Sequence, residues 1–206
     1  MGEIVRSIRN QTLIERGKAC IHRLSRLNIM TLDQSMATVN VAYELGYWCG
    51  LSQIELEKLE AAAYLHHTGY TELPLPLFHA EKVFAEKERK VLEQHVTYGE
   101  VKLKNPSMDE DVLAAVKHHH ERWDGTGYPD GLKGEAIPIM SRIMAIADAY
   151  VAMVTRRIYR RPLTDEEIIT RLKAESGKAF DPKLVGVMIT LLEVSPQLLT
   201  QRLYTP

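Results

Sequence analysis

The run His119-His120-Glu121-Arg122-Trp123-Asp124-Gly125-Thr126-Gly127-Tyr128-Pro129-Asp130-Gly131 governs the reading of the chain. It begins where a helical pattern ends. Val112, Ala115, Val116, His119 and His120 share one face of the preceding segment. From Trp123 to Pro138 the chain is too rich in glycine and proline for regular helix. Adjacent helical residues point about 100° apart, so a histidine pair serves one site only near a helix terminus. His66-His67 is a second such pair, at the end of a helical pattern through Leu56, Leu59 and Ala63 and just before Thr68-Gly69. Of eight histidines, six (His66, His67, His95, His118, His119 and His120) fall in three short clusters. Scattered surface histidines would not group in this way.

Outward from these clusters the hydrophobic spacing is helical. A first helix is expected over 3–27, with Ile4, Ile8, Ala19, Ile21 and Leu24 as its apolar positions. Thr31 with Gln34 and Ser52 with Glu55 form capping-box pairs that open the second and third helices. Thr68-Gly69, Pro74 and Pro76 mark an irregular connection. One charged helix then carries Val91, Leu92, His95, Val96 and Gly99 on one side. Asp109 caps the helix that ends in the histidines, where His118 points away from the apolar face and is expected to be solvated. Pro138 opens a helix that carries Asp148 and is expected to end in Arg156, Arg157, Arg160 and Arg161. Thr164 with Glu167 caps another helix, stopped by Gly177, and Asp181-Pro182 begins the last. With no repeat and no strand pattern, the fold class is all-α. Residues 1–30 read as a helical extension, 31–193 as the domain and 194–206 as a tail.

Composition narrows the function classes. The chain has 26 basic and 27 acidic residues in 206, so nothing draws it in bulk to nucleic acid polymers or membranes. It has no apolar run of membrane-spanning length and no signal-peptide core, so a cytoplasmic protein is expected. Its two cysteines, Cys20 and Cys49, read as small buried hydrophobes. A homodimer paired through the first amphipathic helix is open.

Histidines converging from separate helices, with Asp148 among apolar residues, suit a transition metal. Imidazole favours iron, manganese, nickel or zinc over calcium or magnesium, and a lone buried carboxylate is costly unless paired or coordinating. One histidine on an apolar face is more often a satisfied core residue, and spacing alone leaves the two readings balanced.

The quoted run resembles the HHExxDGxGYP signature of the HD-GYP family, and the resemblance extends over 31–182. It implies a helical-bundle HD-superfamily fold that holds iron or manganese and hydrolyses cyclic di-GMP by metal-assisted phosphoryl transfer to water. Position by position, the family's ligands match His66, His95, His119, His120 and Asp148. Its phosphate-gripping basic residues match Arg157 and Arg160, where the alternative is a solvated helix end. Asp124, Gly125, Gly127, Tyr128 and Pro129 form the loop that gives the family its name, and Tyr128 is a ligand-binding candidate. In this family that loop is also associated with docking onto diguanylate cyclase domains.

Four positions depart from the family pattern. Its first helix-borne histidine falls near Gln34, its HDxGK motif reads His66-His67-Thr68-Gly69-Tyr70, and a later aspartate is Val151. A carboxylate can bridge two metal ions, whereas a neutral imidazole donates to one. The metal set is therefore expected to be one or two ions, or none, with His67 as a further candidate ligand. Retained recognition residues beside altered chemical ones imply a degenerate member that binds cyclic di-GMP or a partner protein with weak or no phosphodiesterase activity. The alternative is an active phosphodiesterase with an unusual metal centre; a hydrolase for another phosphoester is weaker.

Overall fold

Local capping sets the helix starts. The computed structural model describes residues 2–27, 29–78, 84–106, 108–155 and 161–200, with the backbone alone for residues 2–9 and 200. α1 (Gly2–Arg26) leads into α2 (Leu32–Trp48) and α3 (Gln53–Leu65). At α2, the Gln34 amide donates to Thr31 Oγ1 over 3.2 Å and the Thr31 amide donates back to Gln34 Oε1. Ser52 and Glu55 do the same for α3. Each box satisfies two of the amide donors that a helix start leaves without partners.

The remaining helices are α4 (Glu86–Glu93), α5 (His95–Leu103), α6 (Glu110–His118), α7 (Ile139–Val154), α8 (Asp165–Glu175), α9 (Pro182–Val194) and α10 (Pro196–Thr200). The Asp109 carboxylate accepts from the Asp111 and Val112 amides, and Asp181 caps α9 through the Lys183 amide. Short 3-10 turns cover Thr68–Glu72, Leu75–Leu77 and Gly134–Ala136. The fold is all-α, and among the described residues the sole β pairing is an isolated bridge between Ser176 and Phe180.

α3 lies at the centre of the site-bearing half, with α1, α2 and α6 packed against it, while α7 runs along α2 and α6. Leu45, Leu59, Val116, Ile143, Met144, Ile146, Leu172, Met188 and Leu191 are wholly buried between these helices. Each large apolar side chain so buried contributes about 1.5–3 kcal/mol before entropy is counted. α1 buries Leu13, Ile14, Ile21 and Leu24 against this core, so its described apolar stripe is covered within the chain. No described helix is long and apolar enough to cross a membrane.

Three local expectations are corrected. Ala19 lies on the exposed side of α1, off the stripe. The charged helix is two helices, broken at Gln94, and the break frees His95 to begin α5 as a buried residue. α7 ends at Val154 rather than in the arginines. Thr155 is extended there, and its hydroxyl donates to the Val151 carbonyl over 2.7 Å, a local bond that competes with further helix. Arg156, Arg157 and Arg160 lie outside the described residues. Arg161 is exposed and forms a two-pronged ion pair with Glu167 at 2.7 and 2.8 Å, which braces the start of α8.

Candidate metal centre

The two histidine pairs occupy helix ends, as the angular argument requires. His66 is the C-terminal cap of α3 and His119 that of α6; His67 and His120 come next in each case. His95 enters from the first residue of α5. Five rings therefore converge from three helices. Centroid separations are 3.6 Å for His66–His67, 5.1 Å for His66–His119, 5.1 Å for His95–His120 and 4.1 Å for His119–His120. His66, His67, His95 and His119 are buried, and His120 keeps partial exposure.

Backbone carbonyls orient three of the rings. His66, His95 and His119 each place Nδ1 2.6–2.8 Å from the carbonyl three residues earlier, at Ala63, Leu92 and Val116. A carbonyl only accepts, so Nδ1 carries the proton and Nε2 keeps its lone pair for the interior. That is the orientation typical of histidine ligands to metals. His95 Nε2 and His119 Nε2 are 3.4 Å apart. His66 Nε2 and His67 Nδ1 are buried with no hydrogen-bond partner. Such orphaned nitrogens are costly unless something binds them.

Burial pushes the His66 and His95 pKa values down to about 4, and it pushes His67, His119 and His120 well below the ordinary range. All five rings are thus neutral donors near pH 7. The donor set fits a transition metal, in two triads: His66, His67 and His119, and His95, His119 and His120. The triads share His119, which has a single free nitrogen because Val116 holds the other. Five imidazoles therefore complete one triad and leave two ligands over.

Of the substituted positions, His67 belongs to this cluster and Tyr70 lies against it. The Tyr70 ring stacks on His67 at 4.6 Å and 13°, lies 4.4 Å from His95, and meets Phe78 edge-on. Val151 is buried in the core and Gln34 completes the α2 cap. Asp148 is half-buried on α7. Its charge is felt at Tyr128, whose hydroxyl is held protonated first by burial and then by Tyr70, Glu93 and Asp148.

Close backbone packing holds the elements in place. A Cβ on Gly69 would overlap the His95 carbonyl oxygen and lie 2.7 Å from the Gly99 amide nitrogen, so only glycine lets the turn after His67 meet α5. In the loop, Tyr128 stacks on His120 at 5.0 Å, and the Tyr128–Pro129 peptide is cis. A Cβ on Gly127 would come within 2.6 Å of Glu121 Cα and the His120 carbonyl oxygen. The Asp124 carboxylate accepts from the amide and hydroxyl of Thr126, while the Trp123 and Asp124 amides bond the Ala179 and Lys178 carbonyls.

Two features of the loop are not evident from the sequence. Glu121 is buried and accepts from the Asp130 and Leu132 amides at 2.8 and 3.0 Å, bracing the loop from inside. The signal was present, as a carboxylate directly after two histidines, but no periodicity shows its partners. His118, expected in solvent, is largely covered and pairs with Asp130 at 3.0 Å, where Lys117 joins it. Those hydrogen bonds hold the Asp130 carboxyl below its ordinary range.

A family model described as HD domain matches residues 9–184. The chain belongs to the HD domain family. Its His119-His120 pair and Gly-Tyr-Pro loop are those of the HD-GYP type. It is similar to 3'3'-cGAMP-specific phosphodiesterase 2 of Vibrio cholerae, 37% identical over 70% of this chain and 28% of that protein. It is also similar to a cyclic di-GMP phosphodiesterase of Thermotoga maritima, 35% identical over 82% of this chain and 48% of that one. The chain thus spans less than half the length of either relative. Its fold matches the crystal structure of a cyclic GMP-AMP specific phosphodiesterase of Vibrio cholerae at a TM-score of 0.68 and 22% identity, over 92% of this chain and 51% of that one.

Proposed function

We infer that this HD-GYP domain binds a cyclic dinucleotide, cyclic di-GMP or cGAMP, and hydrolyses it weakly or not at all. The observation that carries this reading is the all-imidazole character of the two donor triads, with His67 where the family motif has a carboxylate. Two divalent ions bring four positive charges, and neutral rings offset none of them. Asp148 is the single anionic ligand that the family pattern would add, and it cannot replace both missing carboxylates.

The resident metal would be one iron or manganese ion held by His119 with His66 and His67, or with His95 and His120. When bound, it would supply Lewis-acid stabilisation of a phosphodiester oxygen. The chain's own residues would do the rest. Tyr70 and Tyr128 flank the cluster with aromatic faces suited to a nucleobase and hydroxyls that can donate to phosphate. Tyr70 carries no charge, so it stabilises a phosphorane-like oxyanion less than the motif's lysine would. Arg157 and Arg160 would grip the phosphates through paired donors. The same loop would offer a docking surface to a diguanylate cyclase domain.

An active phosphodiesterase is the second reading, favoured by the orphaned His66 Nε2 and His67 Nδ1, which together look like a competent half-site. Calorimetric titration with cyclic di-GMP and with 3'3'-cGAMP tests the binding half. Saturable heat that is weakened by Arg157→Ala and less affected by His66→Ala supports the proposal. The absence of heat and of competition at high ligand concentration overturns it, and two metal ions per chain would favour the active enzyme.

A further inference from the structure

Behind the 3-10 turn that carries Tyr70, on the side of α1, lies a separate cleft of about 230 Å³. Arg16, Cys20 and Arg23 line it from α1, Thr68 and Thr71 from the turn, and Lys102 from α5. Arg16 and Arg23 are two helical turns apart, so both project over the same mouth, about 10 Å from end to end along the axis.

Several cations elsewhere on the surface sit beside acids. Lys18 is paired with Glu15, Lys58 with Asp109 and Asp111, and Lys117 with Glu100 and Asp130. Arg16 and Arg23 are exposed, and their side chains make no ion pair or hydrogen bond with any described residue. Lys102 is held in place by Thr71 Oγ1 and Glu72, so its ammonium is fixed at the edge of the cleft. One carboxylate thus stands against three cations. On the cleft floor the Cys20 Sγ contacts Thr68 Oγ1 at 3.3 Å.

We propose that this cleft is a binding site for a phosphate monoester dianion, gripped by Arg16 and Arg23 and closed by Lys102. Two guanidinium forks and an ammonium around a small hydroxyl-lined floor are the donors that such a group takes. The excess of two positive charges matches its charge. The ligand could be inorganic phosphate or the 5'-phosphate of a mononucleotide. The cleft lies outside the histidine cluster and needs no metal, so the proposal stands or falls independently of the function proposed above. The turn it touches begins at Thr68, directly after His67, so occupancy would press on the element that positions Tyr70.

The test is a titration followed by nitrogen–proton correlation spectra, with inorganic phosphate in one arm and adenosine 5'-monophosphate in the other, at constant ionic strength. The Arg16 and Arg23 side-chain Nε–H signals and the Thr68 and Thr71 amides should shift and saturate. R16Q/R23Q, which alters two exposed side chains, should weaken binding about tenfold or more for each guanidinium lost. The charge-matched pair K87Q/R89Q on α4 should leave it unchanged. Equal affinity in the two arms identifies the phosphate group alone as the ligand, and tighter binding of the nucleotide adds a nucleoside contact; both support the site. Shifts that never saturate, that chloride reproduces, or that survive R16Q/R23Q overturn it.

Discussion

Replacing Gly69 by alanine tests how the candidate centre is held together. The added Cβ would overlap the His95 carbonyl oxygen and sit 2.7 Å from the Gly99 nitrogen and 2.8 Å from the His95 carbonyl carbon. All three neighbours are backbone, so none can rotate away. Either the turn after His67 lifts off α5, or α5 shifts and takes His95 with it. Overpacking of this kind costs about 1–3 kcal/mol or more. In a chain of this size that lowers Tm by roughly 2–12 °C. Gly186 is the matched control: it lies in α9, and a methyl group there would have no neighbour within 4 Å. Alanine at that position should raise stability by about 0.5–1 kcal/mol. Calorimetric melting of both variants decides the matter, with metal content measured alongside. Gly69→Ala should melt lower and retain less metal, and Gly186→Ala should melt at or above the parent. A Gly69→Ala protein with unchanged Tm and metal content would refute the close-packing argument.

Two further outcomes follow from the same geometry. Glu121→Ala strands the Asp130 and Leu132 amides and should cost about 3 kcal/mol or more in urea unfolding, with Glu121→Gln losing less because it keeps one acceptor oxygen; an alanine variant within 0.5 kcal/mol of the parent, on the order of ordinary surface changes, would contradict the bracing role. Chelator-treated protein should be labile to acid. His66 and His95 titrate near 4 in the fold against an ordinary value of about 6.5, so the unfolded chain binds protons first as the pH falls. Their contribution is fully present above about pH 6.5 and is lost progressively towards 4, on the order of 3 kcal/mol for each. The urea midpoint should therefore fall between pH 7 and pH 5, and a midpoint that rises would contradict the buried, neutral state of the cluster.

Much of this architecture is legible in the sequence because its causes are local. The pairs Thr31 with Gln34, Ser52 with Glu55 and Thr164 with Glu167 announce helix starts within four residues, and all three boxes form. The two histidine pairs declare helix ends through the same angular constraint that brings their rings together. What escapes the sequence depends on partners distant along the chain. The break at Gln94 carries no glycine or proline, and it falls next to the close approach of Gly69 to His95 and Gly99. His118 looks solvated on a helical wheel, yet the loop folds back and sets Asp130 against it. Ala19 fits an apolar stripe by type, but α3 packs against the stripe of Leu13, Ile14, Ile21 and Leu24 instead. Arg142 shows the same limit: its ion pair with Asp181 at 2.6 Å ties α7 to the start of α9 across 39 residues.

The most direct test of the central claim is turnover. The purified chain is loaded anaerobically with iron or manganese, given cyclic di-GMP or 3'3'-cGAMP, and the products are separated by chromatography beside a His119→Ala control and an active phosphodiesterase. A histidine-only pair of triads predicts ligand binding with linear dinucleotide or mononucleotide absent or far below the level formed by the active phosphodiesterase. Product formed by the parent chain at a rate comparable to the active phosphodiesterase and lost with His119 would contradict it, and would make His67 and Tyr70 sufficient where the family motif has aspartate and lysine.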